Sequence, residues 1–223
     1  MMIGLLLLAI REYSYPCHSK QVARSWEFFC LLVSFLGLGI RIHTIGHAPQ
    51  GTSGRNTQSQ VAHTLNTTGM YSIVRHPLYL GNFFMGLGIA LFVHLWWFAL
   101  IYTLAFWLYY ERIMLTEEAY IRGQFGDAFV SWANVTPAFV PDVRKYLKPG
   151  LPFSLKNVLR REYNGFLAVI LLLFLLDTAG GWIVDKTVKA DQMWVILLGA
   201  AFIIWMTLRA LKKWTTLLNV NGR

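Results

Sequence analysis

The chain has 223 residues, of which 56% are hydrophobic and only 14% charged, with 15 Phe, 10 Tyr and 9 Trp. A soluble domain of this size is about a quarter charged; the apolar excess here comes in long blocks, which argues against a soluble globular domain and for membrane spans. The formal net charge is +9, but the Lys and Arg lie between the apolar blocks, so membrane topology accounts for them better than a nucleic-acid partner. Two cysteines, Cys17 and Cys30, are too few for a disulfide framework and read as unpaired thiols.

In chain order, residues 3–10 form an apolar stretch ended by Arg11 and Glu12. At ~1.5 Å per residue this stretch falls short of a ~30 Å hydrocarbon core. It lacks a basic n-region and a small-residue cleavage site, so a signal peptide is not expected. It reads as the end of a longer first helix that begins upstream. The second block runs from Phe28 to Ile45, and a polar stretch rich in Gly, Ser, Thr, Asn and Gln follows from His47 to Tyr71. A third block, Leu78 to Ile113, has 36 residues. A continuous helix of that length would measure roughly 54 Å, so two helices folded back at His94-Leu95-Trp96 are expected. A second polar segment, Leu115 to Asn164, precedes two last spans at Phe166–Val184 and Met193–Leu211. The fold class expected is an all-α polytopic membrane bundle of about five to six spans, the short hairpin included.

If the segments alternate sides, residues 41–77, 112–164 and 209–223 share one face and carry 15 Lys and Arg, against 5 in residues 11–25 and 185–192. The bias predicts that the two large polar segments face the cytosol.

The most informative stretch is Gly69-Met-Tyr-Ser-Ile-Val-Arg75-His76-Pro77-Leu78-Tyr79-Leu80-Gly81. Pro77 suits the first turn of a helix, where its missing N–H would be unpaired anyway, and it pushes His76 toward an extended conformation. The helix start presents free N–H groups and the positive dipole end, and Arg75 adds a full charge beside them. Two readings are open: an anion site between these positive features, or an interfacial Arg that snorkels to lipid phosphates. A second cluster lies beyond the hairpin. Glu111, Glu118 and Arg122 share one helix face, with Glu118 and Arg122 at i, i+4 and Glu117 beside them. Carboxylates so near an apolar span need partners or a ligand, unless they belong to the solvated end of a long helix. That helix is expected to stop near Gly123–Gly126.

Both clusters in this order resemble the isoprenylcysteine carboxyl methyltransferase and phospholipid methyltransferase superfamily. The matching residues are Arg75-His76-Pro77-Leu78-Tyr79-Leu80-Gly81, then Glu117-Glu118, Phe125-Gly126, Trp132 and Pro137. The resemblance covers about residues 69–141. It implies three regions: N-terminal spans and a polar cytosolic loop (1–68), a methyltransferase core (69–141), and a basic linker with two C-terminal spans (142–223). It also implies an S-adenosylmethionine site without a Rossmann domain, built from Arg75, His76, Pro77, Leu78, Tyr79, Gly81, Glu117 and Glu118 and capped by the segment after Phe125-Gly126. By the same analogy Arg75 and Glu118 take catalytic roles. Such a site must exclude water and align the acceptor for in-line attack. The Gly37-x-Gly39 and Gly86-x-Gly88 pairs lie inside apolar spans and read as helix-packing glycines.

One departure concerns the acceptor. Enzymes that methylate prenylcysteine tend to be basic between the aromatic and the proline of the last motif, and here that stretch is Ala133-Asn134-Val135-Thr136. In its place the chain has Gly51-Thr-Ser53-Gly-Arg55-Asn56-Thr57, preceded by Arg41 and His47. Short turns of Gly, Ser, Thr and Arg wrap anions, although a plain surface loop has the same composition. The stretch from Gly51 to Gly81, with the two C-terminal spans, resembles the bacterial branch that methylates a lipid A phosphate. That resemblance implies a lipid substrate at the bacterial inner membrane, bound by Arg41, His47, Ser53, Arg55, Asn56 and Trp132, with no obligatory protein partner. An anionic acceptor needs only cations to position it, whereas an amine such as phosphatidylethanolamine must first lose a proton. No acidic residue lies between Glu27 and Glu111, and arginine suits phosphate. Prenylcysteine carboxyl methylation and ethanolamine N-methylation stay as alternatives. Membrane sterol reductases, which use a nicotinamide cofactor, resemble the superfamily in their C-terminal half, but the Cys and Lys of their pattern are missing from residues 117–126. The pair His43 and His47 lacks a third ligand, so no metal is expected. Residues 142–162, with six Lys and Arg, are expected to rest on anionic headgroups.

Overall fold

The computed structural model describes residues 2–15, 19–49, 64–186 and 190–220. Among the described residues there are seven α-helices and no strand: α1 (Met2–Arg11), α2 (Lys20–His47), α3 (Pro77–Leu91), α4 (Trp96–Phe125), α5 (Asp127–Val135), α6 (Leu155–Asp185) and α7 (Gln192–Trp214). Four of them, α2, α4, α6 and α7, are long and apolar enough to cross a membrane, and α3 is apolar but shorter. The protein is therefore a polytopic membrane bundle, as the hydropathy pattern predicts.

Local chemistry sets the helix ends. The side chains of Ser19, Ser154 and Asp191 accept from the backbone N–H of Val22, Asn157 and Met193, capping α2, α6 and α7. The hairpin turns where expected: α3 ends at Leu91, α4 begins at Trp96, and His94 between them has φ +63°. Two spans are longer than hydropathy alone predicts. α2 starts eight residues before Phe28, and α6 starts eleven residues before Phe166. The second extension corrects the reading of residues 142–162 as a segment lying wholly on headgroups. From Leu155 on, that basic stretch is the first two turns of a helix that buries Asn157, Val158 and Glu162.

The α2–α3 contact is the closest in the bundle. A Cβ on Gly37 would lie 2.4 Å from the Gly81 carbonyl oxygen, and one on Gly88 would lie 2.2 Å from Ser34 Oγ. Ser34 Oγ donates to the Met85 carbonyl at 3.0 Å, so the close approach brings a polar bond with it. Gly86 faces the Tyr102 hydroxyl of α4, whereas Gly39 has open space beside it. Three of the four glycines in the two Gly-x-Gly pairs thus pack helices, and Gly39 does not. The main core gathers Phe92, Val169, Ile170, Leu173 and Trp194 and is continuous with that seam through Cys30 and Ala90.

The two ends of the bundle differ. At one end Lys20 pairs with Asp185 at 2.7 Å and Arg24 pairs with Asp191. At the other end the C-terminal part of α2, the N-terminus of α3, the end of α4 and the start of α6 come together through Arg41, Arg75, Glu118 and Glu162. This is the alternation assumed in counting charges. Gly88→Val should drive α2 and α3 apart at a cost of about 1–3 kcal/mol. Thermal unfolding of the detergent-solubilised protein should show a lower midpoint, and an unchanged midpoint would mean the seam tolerates bulk.

Candidate active site

The site is built on the turn that leads into α3. Residues Met70–Ser72 form a 3-10 turn entered through Gly69, whose φ of +62° suits glycine. α5 and the chain after it wrap this turn. Gly69 N–H donates to Leu147 O at 2.9 Å, Leu147 N–H to Ser72 Oγ at 2.8 Å, and Asp142 N–H to Ile73 O at 2.9 Å. Arg75 N–H donates to Pro137 O at 2.9 Å, and Trp132 Nε1 to Tyr71 O at 3.1 Å. Ile73, Val74 and Leu80 close a small apolar cluster beneath it with Ile40 and Phe84. Burial also raises the Tyr71 hydroxyl above its ordinary range. The segment after Phe125-Gly126 therefore covers the motif turn, with Gly126 at φ +53° making the break between α4 and α5.

Pro77 occupies the first turn of α3, and His76 precedes it with φ −122°. That conformation sends Arg75 and His76 toward α4. Arg75 Nη1 donates to Glu118 Oε2 at 2.8 Å, and His76 Nε2 lies 2.8 Å from Glu118 Oε1. Tyr79, one turn further along α3, donates its hydroxyl to Glu117 Oε2 at 2.9 Å. Its ring stacks on His76 with centroids 5.6 Å apart. The two adjacent carboxylates are thus held differently. Glu118 is spanned by two cationic or donor groups and is 19% exposed, whereas Glu117 is 38% exposed. The sequence pattern pairs Glu118 with Arg122; in the structure Glu118 turns instead to Arg75 and His76, which are less exposed than Arg122.

Leu78 and Gly81 serve the α2 contact. The Leu78 carbonyl lies 3.5 Å from Arg41 Nη1, and Gly81 leaves room for the Arg41 stem. Arg41 itself is engaged by Glu162, with Nε to Oε2 and Nη2 to Oε1 both at 2.7 Å. His47 Nδ1 sits 2.9 Å from the His43 carbonyl, and its ring packs against Phe153. Trp132 holds the Tyr71 carbonyl from below. Ser53, Arg55 and Asn56 lie outside the described residues. Glu162, Asn82 and Tyr110 were missed from sequence. A carboxylate at the start of a long apolar run was the available signal for Glu162.

Beside the pair, an open cleft of about 490 Å³ is lined by Arg75, residues 133–137, residues 140–142, Arg144 and Lys145. Arg75 Nε is buried and has no hydrogen-bond partner. Arg144 and Lys145 border the cleft but are turned to Asp142, which Arg144 holds below the usual carboxylate range by hydrogen bonding. An unpaired guanidinium N–H, a half-exposed carboxylate and a tyrosine side by side suit a ligand with a carboxylate, an ammonium and hydroxyls. This donor set fits S-adenosylmethionine.

The pattern that defines the phospholipid methyltransferase family matches residues 27–128, which contain α3, α4, Arg75 and both carboxylates. The comparisons support this family, together with its isoprenylcysteine methyltransferase relatives. A protein-S-isoprenylcysteine O-methyltransferase of Schizosaccharomyces pombe is 34% identical over 79 residues, 35% of this chain and 34% of that protein. The cobalt-zinc-cadmium resistance protein CzcN of Cupriavidus metallidurans is 33% identical over 118 residues, 52% of each chain. A protein-S-isoprenylcysteine O-methyltransferase of Saccharomyces cerevisiae is 30% identical over 115 residues, 50% of this chain and 47% of that protein. The chain spans about half or less of the length of these relatives. No solved structure matches it.

Trp132→Phe removes the N–H that holds the Tyr71 carbonyl and should cost about 0.5–1.5 kcal/mol. The thermal midpoint in detergent measures this, and no change would mean that the turn is held without it.

Proposed function

We propose that the protein is a membrane S-adenosylmethionine-dependent O-methyltransferase acting on an anionic oxygen of a lipid or lipid-anchored acceptor. The observation that carries this reading is the Arg75–Glu118–His76 cluster beside Glu117 and Tyr79, on a segment that matches the methyltransferase family. S-adenosylmethionine, when bound, supplies an electrophilic methyl group on a sulfonium. Glu117 would take the cofactor's ammonium or ribose hydroxyls, and Tyr79 holds Glu117 in place for it. Glu118 keeps Arg75 and His76 at the start of α3. The free Nε of Arg75 offers one directed hydrogen bond to an anionic oxygen. The segment from Trp132 to Lys145 covers the turn that carries Arg75 and leaves an open cleft beside it. An ionised oxygen needs no base, so the catalytic demand on these residues is orientation.

Two acceptors suit this chemistry. A lipid A phosphate is supported by the sequence resemblance over Gly51–Gly81. Of the arginines behind that argument, Arg41 is taken up by Glu162 and Arg75 by Glu118. The carboxylate of a prenylcysteine-like molecule is supported by the relatives named protein-S-isoprenylcysteine O-methyltransferase. The positive-inside bias supports a cytosolic site, where the cofactor is available, and the lipid A resemblance alone supports a bacterial inner membrane.

Arg75→Ala should abolish turnover while the protein remains folded in detergent. Near-normal activity would remove Arg75 from the site. Glu118→Gln should weaken binding of S-adenosylhomocysteine in calorimetry, and unchanged affinity would place the cofactor elsewhere. Mass spectrometry of lipids from cells with and without the gene identifies the acceptor. Loss of one methyl from a lipid A phosphate supports the phosphate reading, and loss from a lipidated carboxyl supports the other. A change confined to ethanolamine headgroups would overturn the anionic acceptor.

A further inference from the structure

We propose that Glu162, on α6 and outside the segment that matches the family, is a positioning residue for the site. The inference rests on the methyltransferase reading above. Glu162 and Arg41 form a two-pronged ion pair whose side chains are only 6% and 11% exposed. Neutral residues would pack α6 against α2 as well as a buried ion pair does. The charge therefore has another use, and the onward contacts show what it is.

With Nε and Nη2 given to Glu162, the planar guanidinium of Arg41 has its orientation fixed. Nη1 then donates to Asn82 Oδ1 at 2.7 Å. Arginine only donates, so it selects the oxygen of the Asn82 amide and turns the amide nitrogen the other way. That nitrogen, Nδ2, donates to the Tyr110 hydroxyl on α4 at 3.2 Å. The Tyr110 ring lies against the Tyr79 ring with centroids 4.9 Å apart, and Tyr79 donates to Glu117. A continuous path therefore runs from α6 through α2, α3 and α4 to the exposed carboxylate of the site. From Glu162 to Tyr110 each hydrogen bond has a direction set by the one before, and the last link to Tyr79 is a packing contact between rings. Without Glu162 the guanidinium loses its reference, the Asn82 amide is free to flip, and Tyr79 no longer meets a fixed neighbour.

The test uses two variants of the whole protein in detergent. Glu162→Asp keeps the charge but is one methylene too short for the two-pronged contact. The double variant Arg41→Leu/Glu162→Leu removes both charges, so no unpaired ion is left to unfold the bundle. Size-exclusion profiles and thermal midpoints identify which variants are folded. In folded variants S-adenosylhomocysteine should bind about tenfold more weakly, with a matching fall in kcat and little change in the acceptor KM. The further exchange Tyr79→Phe should cost these variants less than it costs the wild type, because Tyr79 is already released. A folded variant with wild-type affinity and kcat would reduce Glu162 to a brace between α2 and α6 and overturn the proposal. Failure of the wild-type protein to bind S-adenosylhomocysteine would instead remove the methyltransferase reading itself.

Discussion

A carboxylate brought to the end of an apolar span has to be met by a cation, and that requirement organises this end of the molecule. Glu118 stands on α4, whose run Phe106-Trp107-Leu108-Tyr109-Tyr110 gives way to Glu111 and Arg112 two turns before it, and Arg75 and His76 reach it from a separate element at 2.8 Å each. Removing either partner leaves a poorly solvated charge. The turn before α3 must therefore hold Arg75 and His76 in one place. Pro77 directs the chain into the helix, Gly69 provides the positive φ, and residues 132–147 clamp the turn through five hydrogen bonds. The same constraint explains why the segment after α5 folds back over the motif instead of lying free on the membrane.

Much of this was legible in the chain itself. Hydropathy located the spans, and the length of the third apolar block required a turn where His94 takes its left-handed conformation. The Arg-His-Pro stretch and the Glu-Glu pair declared the two halves of the site, because charges beside apolar runs are conspicuous. Their pairing was not legible. Glu118 had a cation four residues away in Arg122, and helical spacing favours that neighbour. Burial overrode the spacing: Arg75 and His76 approach from the less solvated side, where an ionic hydrogen bond is stronger.

The Arg41–Glu162 pair illustrates a different limit. Its partners are 121 residues apart, and each has a local disguise. Arg41 sits near the end of an apolar block, where arginines commonly reach for phosphates, and Glu162 follows Arg160 and Arg161 in a stretch that reads as a basic surface. The Ser154 cap marks the true start of α6 and was the clue that this stretch is helical and partly buried. Long-range complementarity between single charges leaves no periodic trace in a sequence, whereas hydrophobic faces do.

The length of α3 carries a consequence for how the far side of the bundle is filled. Its 15 residues give a rise of ~22 Å against a hydrocarbon core of ~30 Å. With the start of α3 level with one membrane surface, the turn at His94 stops short of the other, and the rings of Tyr13 and Trp26 lie against it, 5.0 Å and 6.3 Å from the His94 ring. Protein thereby makes up the shortfall of a short helix, and lipid tails have no gap to fill above it.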